Sequence, residues 1–296
     1  MGIPASLDRE AIVARIAEHP IDGAPAEMRA AFRRLVLGGA GRPDGGPLAF
    51  RPVAPDKRQA PVVWFHGGGY VFGGPDTHAR IGGSLCERHG LTIHLPRYPL
   101  APDHGWPAQR HAAMTAAAEV AGGGAAPILA GDSAGGHLAL VTALALARAG
   151  TPARALILCS PNTDRSGLSR TREANAGRDP MVDPEADDRL AAMAFGARDG
   201  SDMEVSPLLD DLSLLPPTWI EVGAEEVLLD DSRLLAQRAR AAGAEVELVV
   251  TPGLLHMAQV WAGHWDLADA SLERVAAFAR RHHEDAGEDG AEAHPS

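Results

Sequence analysis

The chain has 296 residues, a formal net charge of −12, 45% hydrophobic but only 4% aromatic residues, and two cysteines. That length suits one large α/β domain with an added lid, its core packed mainly by alanine, leucine and valine. The acidic balance, with no dense Lys/Arg stripe, argues against a nucleic-acid partner; two cysteines do not make a disulfide framework; and no apolar run reaches membrane-spanning length.

The opening MGIPASLDRE carries acid and no long apolar run, unlike a signal peptide, so a cytoplasmic protein is expected. Two short helices are predicted at 5–19 and 24–37, the second starting at Ala24-Pro25 and stopping at Gly38-Gly39. Residues 40–60 are rich in Gly and Pro and read as irregular, with a strand near 48–53. Val62-Val63-Trp64-Phe65 reads as a strand ending at His66-Gly67-Gly68-Gly69, and 91–95 as another, stopped by Pro96. A helix at 107–121, a strand at 127–130, a helix at 134–149 and a strand at 155–159 follow. Then come a strand at 218–222, a helix at 231–242, a strand at 246–250 and a last helix at 267–282. Strands that are short and apolar on both faces, alternating with helices, predict a largely parallel sheet covered on both sides.

The interval 160–216 breaks this rhythm, with one helix expected at 184–197, and reads as an insertion over the carboxyl edge of the sheet. Residues 284–296 are acidic and small and are expected to be disordered. Cys86 and Cys159 each lie beside an apolar run and read as buried free thiols.

Gly131-Asp132-Ser133-Ala134-Gly135 fits the pattern G-x-S-x-G between a predicted strand and a predicted helix. In that context a serine on a sharp strand-to-helix turn needs small neighbours, and the strain lifts its hydroxyl clear of the sheet. A plain tight turn is the alternative. A serine nucleophile also needs oxyanion donors, a base and an acid to orient the base. The three glycines after His66 leave backbone N–H groups uncovered, able to join the amide of Ala134 around an anion. The base is expected late in the chain, and His256, in the loop after strand 246–250, is the best candidate. His264 is its rival, and His137 reads as packed behind Ser133. The acid is expected after strand 218–222, where Glu225, Glu226, Asp230 and Asp231 compete and spacing alone does not choose.

These pieces resemble the hormone-sensitive-lipase-like family of α/β hydrolases, the bacterial type IV esterases, over about 60–280. His66–Gly69 is similar to the family's HGGG motif and Gly131–Gly136 to its GDSAGG motif; Ser160-Pro161, Asp164, Ser206-Pro207, Pro216-Pro217 and Gly253–His256 also fall where the family has them. The resemblance implies an α/β-hydrolase fold with a mostly parallel central sheet, helices on both faces and a helical cap. In that scheme 1–45 is the N-terminal part of the cap, 46–283 the α/β-hydrolase domain, and about 165–205 the cap insertion.

By the same resemblance Ser133 is the nucleophile, His256 the base, and Gly68, Gly69 and Ala134 the oxyanion donors. The family acid stands four residues before a second aspartate, and Glu226-Val227-Leu228-Leu229-Asp230 occupies that register, so the acid falls on Glu226, with Asp230 its rival. Glutamate departs from the commoner aspartate. Arg97 and Pro99 also depart from an acid and an arginine, at positions that read as scaffold. Tyr70, Phe72, Leu254 and Trp261 are expected to wall the substrate pocket.

The implied activity is a serine carboxylesterase acting on small or medium acyl esters, with no metal and no organic cofactor. The alternatives are a lactone or amide (acetyl) hydrolase on the same machinery, or a non-catalytic small-molecule binding protein of the same fold. The expected partner is a small-molecule ester or lactone, not nucleic acid or membrane. Relatives often dimerise, so a homodimer is allowed for.

Overall fold

A computed structural model describes residues 3–39, 46–54, 59–122 and 124–283. The expected tail at 284–296 lies outside the described residues, as do parts of the irregular stretch expected at 40–60. The centre is a seven-stranded sheet of β1 (Leu48–Phe50), β2 (Val62–Phe65), β3 (Ile93–Leu95), β4 (Ile128–Asp132), β5 (Ala155–Cys159), β6 (Thr218–Gly223) and β7 (Val246–Thr251), in the order β1-β3-β2-β4-β5-β6-β7. Only β1 runs antiparallel; from β3 to β7 every pairing is parallel.

The helices are α1 (Arg9–Glu18), α2 (Pro25–Leu37), α3 (Ala79–His89), α4 (Ala108–Ala121), α5 (Ala134–Arg148), α6 (Thr171–Ala174), α7 (Pro184–Phe195), α8 (Leu229–Ala241) and α9 (Asp266–Arg281). Strands β2, β4 and β5 are buried at every position, which is why each reads as an unbroken apolar run. Helix α5 is buried over most of its length against β2, β4 and β5, so its apolar residues circle it instead of forming a stripe. Packing at the centre therefore fixes the carboxyl end of β4, where the chain turns into α5.

Several boundaries follow from local chemistry. Helix α1 begins later than expected because Asp8 caps it, accepting from Ala11 N at 2.8 Å. Helix α2 starts on Pro25 and ends on Gly38, whose φ of 65° is the left-handed stop that glycine takes easily. The strand expected at 127–130 runs on to Asp132. Helix α3 escapes a sequence reading because Gly82-Gly83 sit at its middle. Gly82 packs against the ring of Phe50, where a Cβ would come within 2.6 Å of the ring edge. Cys86 and Cys159 are both free and buried. Among the described residues no helix is long and apolar enough to cross a membrane.

Helices α1, α2 and α7 lie outside the sheet and are tied to it by polar contacts. Arg29 of α2 donates to the carbonyls of Val71 and Ala101 at 2.9 and 3.0 Å. On α7, Asp187 accepts from Asn162, Arg165 and Arg172 at 2.8–3.1 Å. Arg172 also reaches Asp231 at 2.8 Å, so a buried ion network fastens α7 to the loop after β5 and to α8.

Candidate active site

Ser133 caps α5 with φ 55° and ψ −123°, a conformation unfavourable for a residue with a side chain. The glycines two residues either side make it attainable. A Cβ on Gly131 would run into the carbonyl of Gly135, and a Cβ on Gly135 into the carbonyls of Phe65 and His66. The turn thus presses against the end of β2, and the first amides of α5 open beside Ser133. Among the described residues the Ser133 hydroxyl forms no hydrogen bond.

The loop after β2 is held from behind. Asp132, fully buried, accepts from Trp64 Nε1 at 2.8 Å through one oxygen and from Gly67 N at 3.1 Å through the other. That second oxygen also lies 3.1 Å from His78 Nε2, and His78 Nδ1 lies 2.9 Å from Thr77 Oγ1. Burial alone would raise the Asp132 carboxyl, but the charge and hydrogen bond of His78 and the bond from Trp64 hold it below the usual range. His66 stacks on Tyr98 with ring centres 4.1 Å apart, and Tyr98 Oη donates to the His66 carbonyl at 2.6 Å. Burial and the neighbouring His78 push the His66 imidazole down to about 3, so it is neutral scaffold. Gly68 and Gly69 have φ of 117° and 57°. Among the described residues the amides of Gly68, Gly69 and Ala134 donate to no group of the chain.

His256 follows β7 in a tight loop, with Gly253 at φ 75° and Met257 at φ 56°. Its Nδ1 lies 2.7 Å from Glu226 Oε2. The other oxygen of Glu226 accepts from Ser160 Oγ at 2.7 Å and Gly223 N at 2.6 Å. Both side chains are buried, His256 4% and Glu226 2% exposed. Burial opposes a charged imidazole, but the hydrogen bond and charge of Glu226, then the fields of Asp179 and Asp132, raise His256 above its ordinary value. The three loops converge, since a Cβ on Gly67 would approach both the Asp132 carboxylate and, at 2.8 Å, Met257 Cε.

The rival carboxylates face elsewhere. Asp230 accepts from the amides of Arg170 and Thr171, each at 3.2 Å. Asp231 accepts from the amides of Thr163 and Asp164 at 2.8 and 2.9 Å. Glu225 pairs with Arg9 at 2.6 Å. His264 is bound to the Pro4 carbonyl at 2.6 Å, away from the serine turn.

A narrow, partly open cavity lies beside Gly69 and Ala134. Tyr70, His137 and Phe195 form its aromatic wall, Ala191 of α7 its roof, and Asn162 and Arg165 its polar side. Tyr70 Oη lies 2.6 Å from His137 Nδ1; burial and Arg165 hold that imidazole down at about 3, so the ring is neutral. Of the four expected wall residues only Tyr70 lines this cavity. Phe72 packs on Phe32 with centroids 5.1 Å apart, and Leu254 and Trp261 are buried in the core. A second cavity of about 510 Å³, lined by Arg29, Arg33, Arg97, His66 and Tyr98 among others, touches none of the residues at the serine turn. Among the described residues no three His, Cys, Asp or Glu side chains gather to hold a metal ion.

Sequence reasoning missed Ser160 as the partner of Glu226, and Asn175 and Asp179 entirely. Ser160 stood in a noted motif; the other two carried no signal beyond a polar loop.

The profile of the alpha/beta hydrolase fold family matches residues 62–260. An acetyl-hydrolase of Streptomyces hygroscopicus is 34% identical over 73% of this chain and 71% of its own length. An esterase of Acinetobacter venetianus is 32% identical over 74% of each. The crystal structure of an esterase from the bacterial hormone-sensitive lipase family superposes with a TM-score of 0.82 at 28% identity, covering 93% of this chain and 98% of that one.

Proposed function

Since the chain belongs to the bacterial hormone-sensitive-lipase-like esterases of the α/β-hydrolase fold and is a carboxylic ester hydrolase, we propose that it cleaves small acyl esters through Ser133, His256 and Glu226. The observation that carries the triad is the 2.7 Å contact of His256 Nδ1 with a glutamate that is itself fixed by two further donors. With Nδ1 donating to Glu226, Nε2 is left as the basic nitrogen.

In the first step His256 takes the Ser133 proton as the hydroxyl oxygen attacks the ester carbonyl. The amides of Gly68, Gly69 and Ala134, unengaged within the chain, are the donors for the oxyanion, each worth roughly 3 kcal/mol in the transition state. His256 then protonates the departing alcohol. Water repeats the sequence on the acyl-enzyme and frees the acid. Glu226 keeps the imidazole in one tautomer and offsets its transient charge.

The cavity beside Gly69 and Ala134 supports a short acyl group. Tyr70, Ala191 and Phe195 narrow it, which favours a short acyl chain over a long one. The name of the Streptomyces relative, acetyl-hydrolase, agrees with this reading.

Turnover of p-nitrophenyl acetate by the native chain, Ser133→Ala and His256→Ala tests it. Loss of turnover in both variants, with organophosphate labelling of the native chain at Ser133, is expected. Undiminished turnover in Ser133→Ala, or no labelling, would overturn it.

A further inference from the structure

The acid loop is gripped by a segment from outside the sheet. The peptide unit joining Glu226 to Val227 is held at both ends by residues between α6 and α7: Asn175 Nδ2 donates to the Glu226 carbonyl at 2.8 Å, and Val227 N donates to Asp179 Oδ2 at 3.1 Å. Thr171 Oγ1 adds a bond to the Val227 carbonyl at 2.9 Å. Asp179 turns its other oxygen to the amides of Met181 and Val182, at 2.9 and 3.1 Å, which fixes the carboxylate in place. It is only 7% exposed, and its charge is among those that raise the His256 imidazole, after that of Glu226.

We propose that Asp179 is a positioning residue of the active site, a second carboxylate that clamps the Glu226 peptide and adds its negative field to the imidazolium of His256. The proposal rests on the assignment of Glu226 and His256 above. No ion pair engages Asp179 among the described residues. His256 and Glu226 act on its carboxyl with opposite signs. His256 pulls the Asp179 carboxyl down, while burial and Glu226 push it up more strongly. The charges that act on the imidazole are Glu226 after β6, which it touches, then Asp179 before α7 and Asp132 at the end of β4. Neighbouring Arg178 turns instead toward the exposed Glu225, 4.0 Å away.

A clamp alone would need no charge. When His256 takes the serine proton, a fixed negative group nearby favours the imidazolium over the neutral ring. An uncharged residue at 179 therefore does two separable things. It loosens the 226–227 peptide, and it lowers the pH at which His256 titrates.

The test is the pH profile of kcat/KM for p-nitrophenyl acetate in the native chain, Asp179→Asn, Asp179→Ser and Asn175→Ala, with near-UV circular dichroism to check folding. The imidazole of His256 is followed by NMR in a Ser133→Ala background with and without the same changes. Both Asp179 variants are expected to lose about tenfold in kcat and to move the acid limb and the NMR midpoint down by roughly half to one pH unit, tenfold per unit being the exchange rate. Asn175→Ala is expected to lower kcat and leave the midpoint where it was. A folded Asp179 variant in which His256 titrates at the native pH would overturn the proposal. If Ser133→Ala kept full turnover, the failure would lie with the triad and not with Asp179.

Discussion

Ser160 Oγ donates to Glu226 Oε1 at 2.7 Å, on the opposite side of the carboxylate from His256. Ser160 holds a φ of 46°, so its backbone is bent to deliver that bond. Replacing it by alanine leaves one oxygen of a buried carboxylate with Gly223 N as its remaining donor. Hydrogen bonds to charged groups are worth about 1.5–3 kcal/mol. Ser160→Ala is expected to lower kcat/KM for p-nitrophenyl acetate by about tenfold or more, read by steady-state kinetics beside an unchanged circular dichroism spectrum.

Glu226 and Asp230 stand four residues apart and are separated by their partners. Glu226→Gln puts an amide against His256 Nδ1 and favours the wrong tautomer, with an expected loss of roughly 10³–10⁴ in kcat. Asp230 serves the amides of Arg170 and Thr171, so Asp230→Asn is expected to keep turnover within about threefold and to lower the melting temperature instead. A reversed pattern would assign the acid to Asp230.

As the proposed base, His256 must be neutral to act, and its surroundings raise it above the ordinary 6.5. The acid limb of kcat/KM is therefore expected above pH 6.5, with activity lost as the pH falls through it. Glu226→Gln removes the main cause of the rise, and its residual activity is expected to show that limb at lower pH.

Stability should follow a different course. His66 and His137 sit near 3 in the folded chain against 6.5 when free, so both are neutral when folded and take up protons on unfolding in acid. Their contribution is full above pH 6.5 and is lost as the pH falls toward 3, at a limiting slope of at most about 2.7 kcal/mol per pH unit for the pair. His256, raised when folded, contributes the other way, favouring the fold below its unfolded value and losing that as pH rises through the folded one. Melting temperature against pH should fall steeply in acid, and less steeply for His137→Gln.

Seating the acyl group in the cavity beside Gly69, as proposed, makes α7 the limit on its length. Phe195 and Ala191 close it from α7. Phe195→Ala is expected to raise the ratio of kcat/KM for p-nitrophenyl butyrate over acetate by about tenfold, the scale of a few methylenes accommodated in an apolar pocket. An unaltered ratio would place the acyl group elsewhere.

The serine turn was legible because its causes are local. Glycines at ±2 of Ser133 are required by clashes within one turn of chain, and they stand in the sequence for anyone to read. The proposed base, His256, is read from its place after a strand, and the proposed acid, Glu226, from a register and not from any property of the four carboxylates in its loop. Asp132 with His78, and Asp179 with Val227, were not legible. These contacts join loops 54 and 48 residues apart, with no periodicity to announce them. Helix α3 was hidden by glycines that tertiary packing demands.

Gly69, proposed to hold the oxyanion, has no side chain partly because Leu190 of α7 occupies the place; a Cβ there would come 3.0 Å from Leu190 Cβ. The roof over that cavity and the amide proposed as an oxyanion donor are therefore neighbours in the literal sense. A bulkier residue at 190 would narrow the cavity and displace the proposed oxyanion donor in one move. Lineages that explore new esters by changing this helix would find selectivity and speed inherited together at that point, and free to part company only further along it.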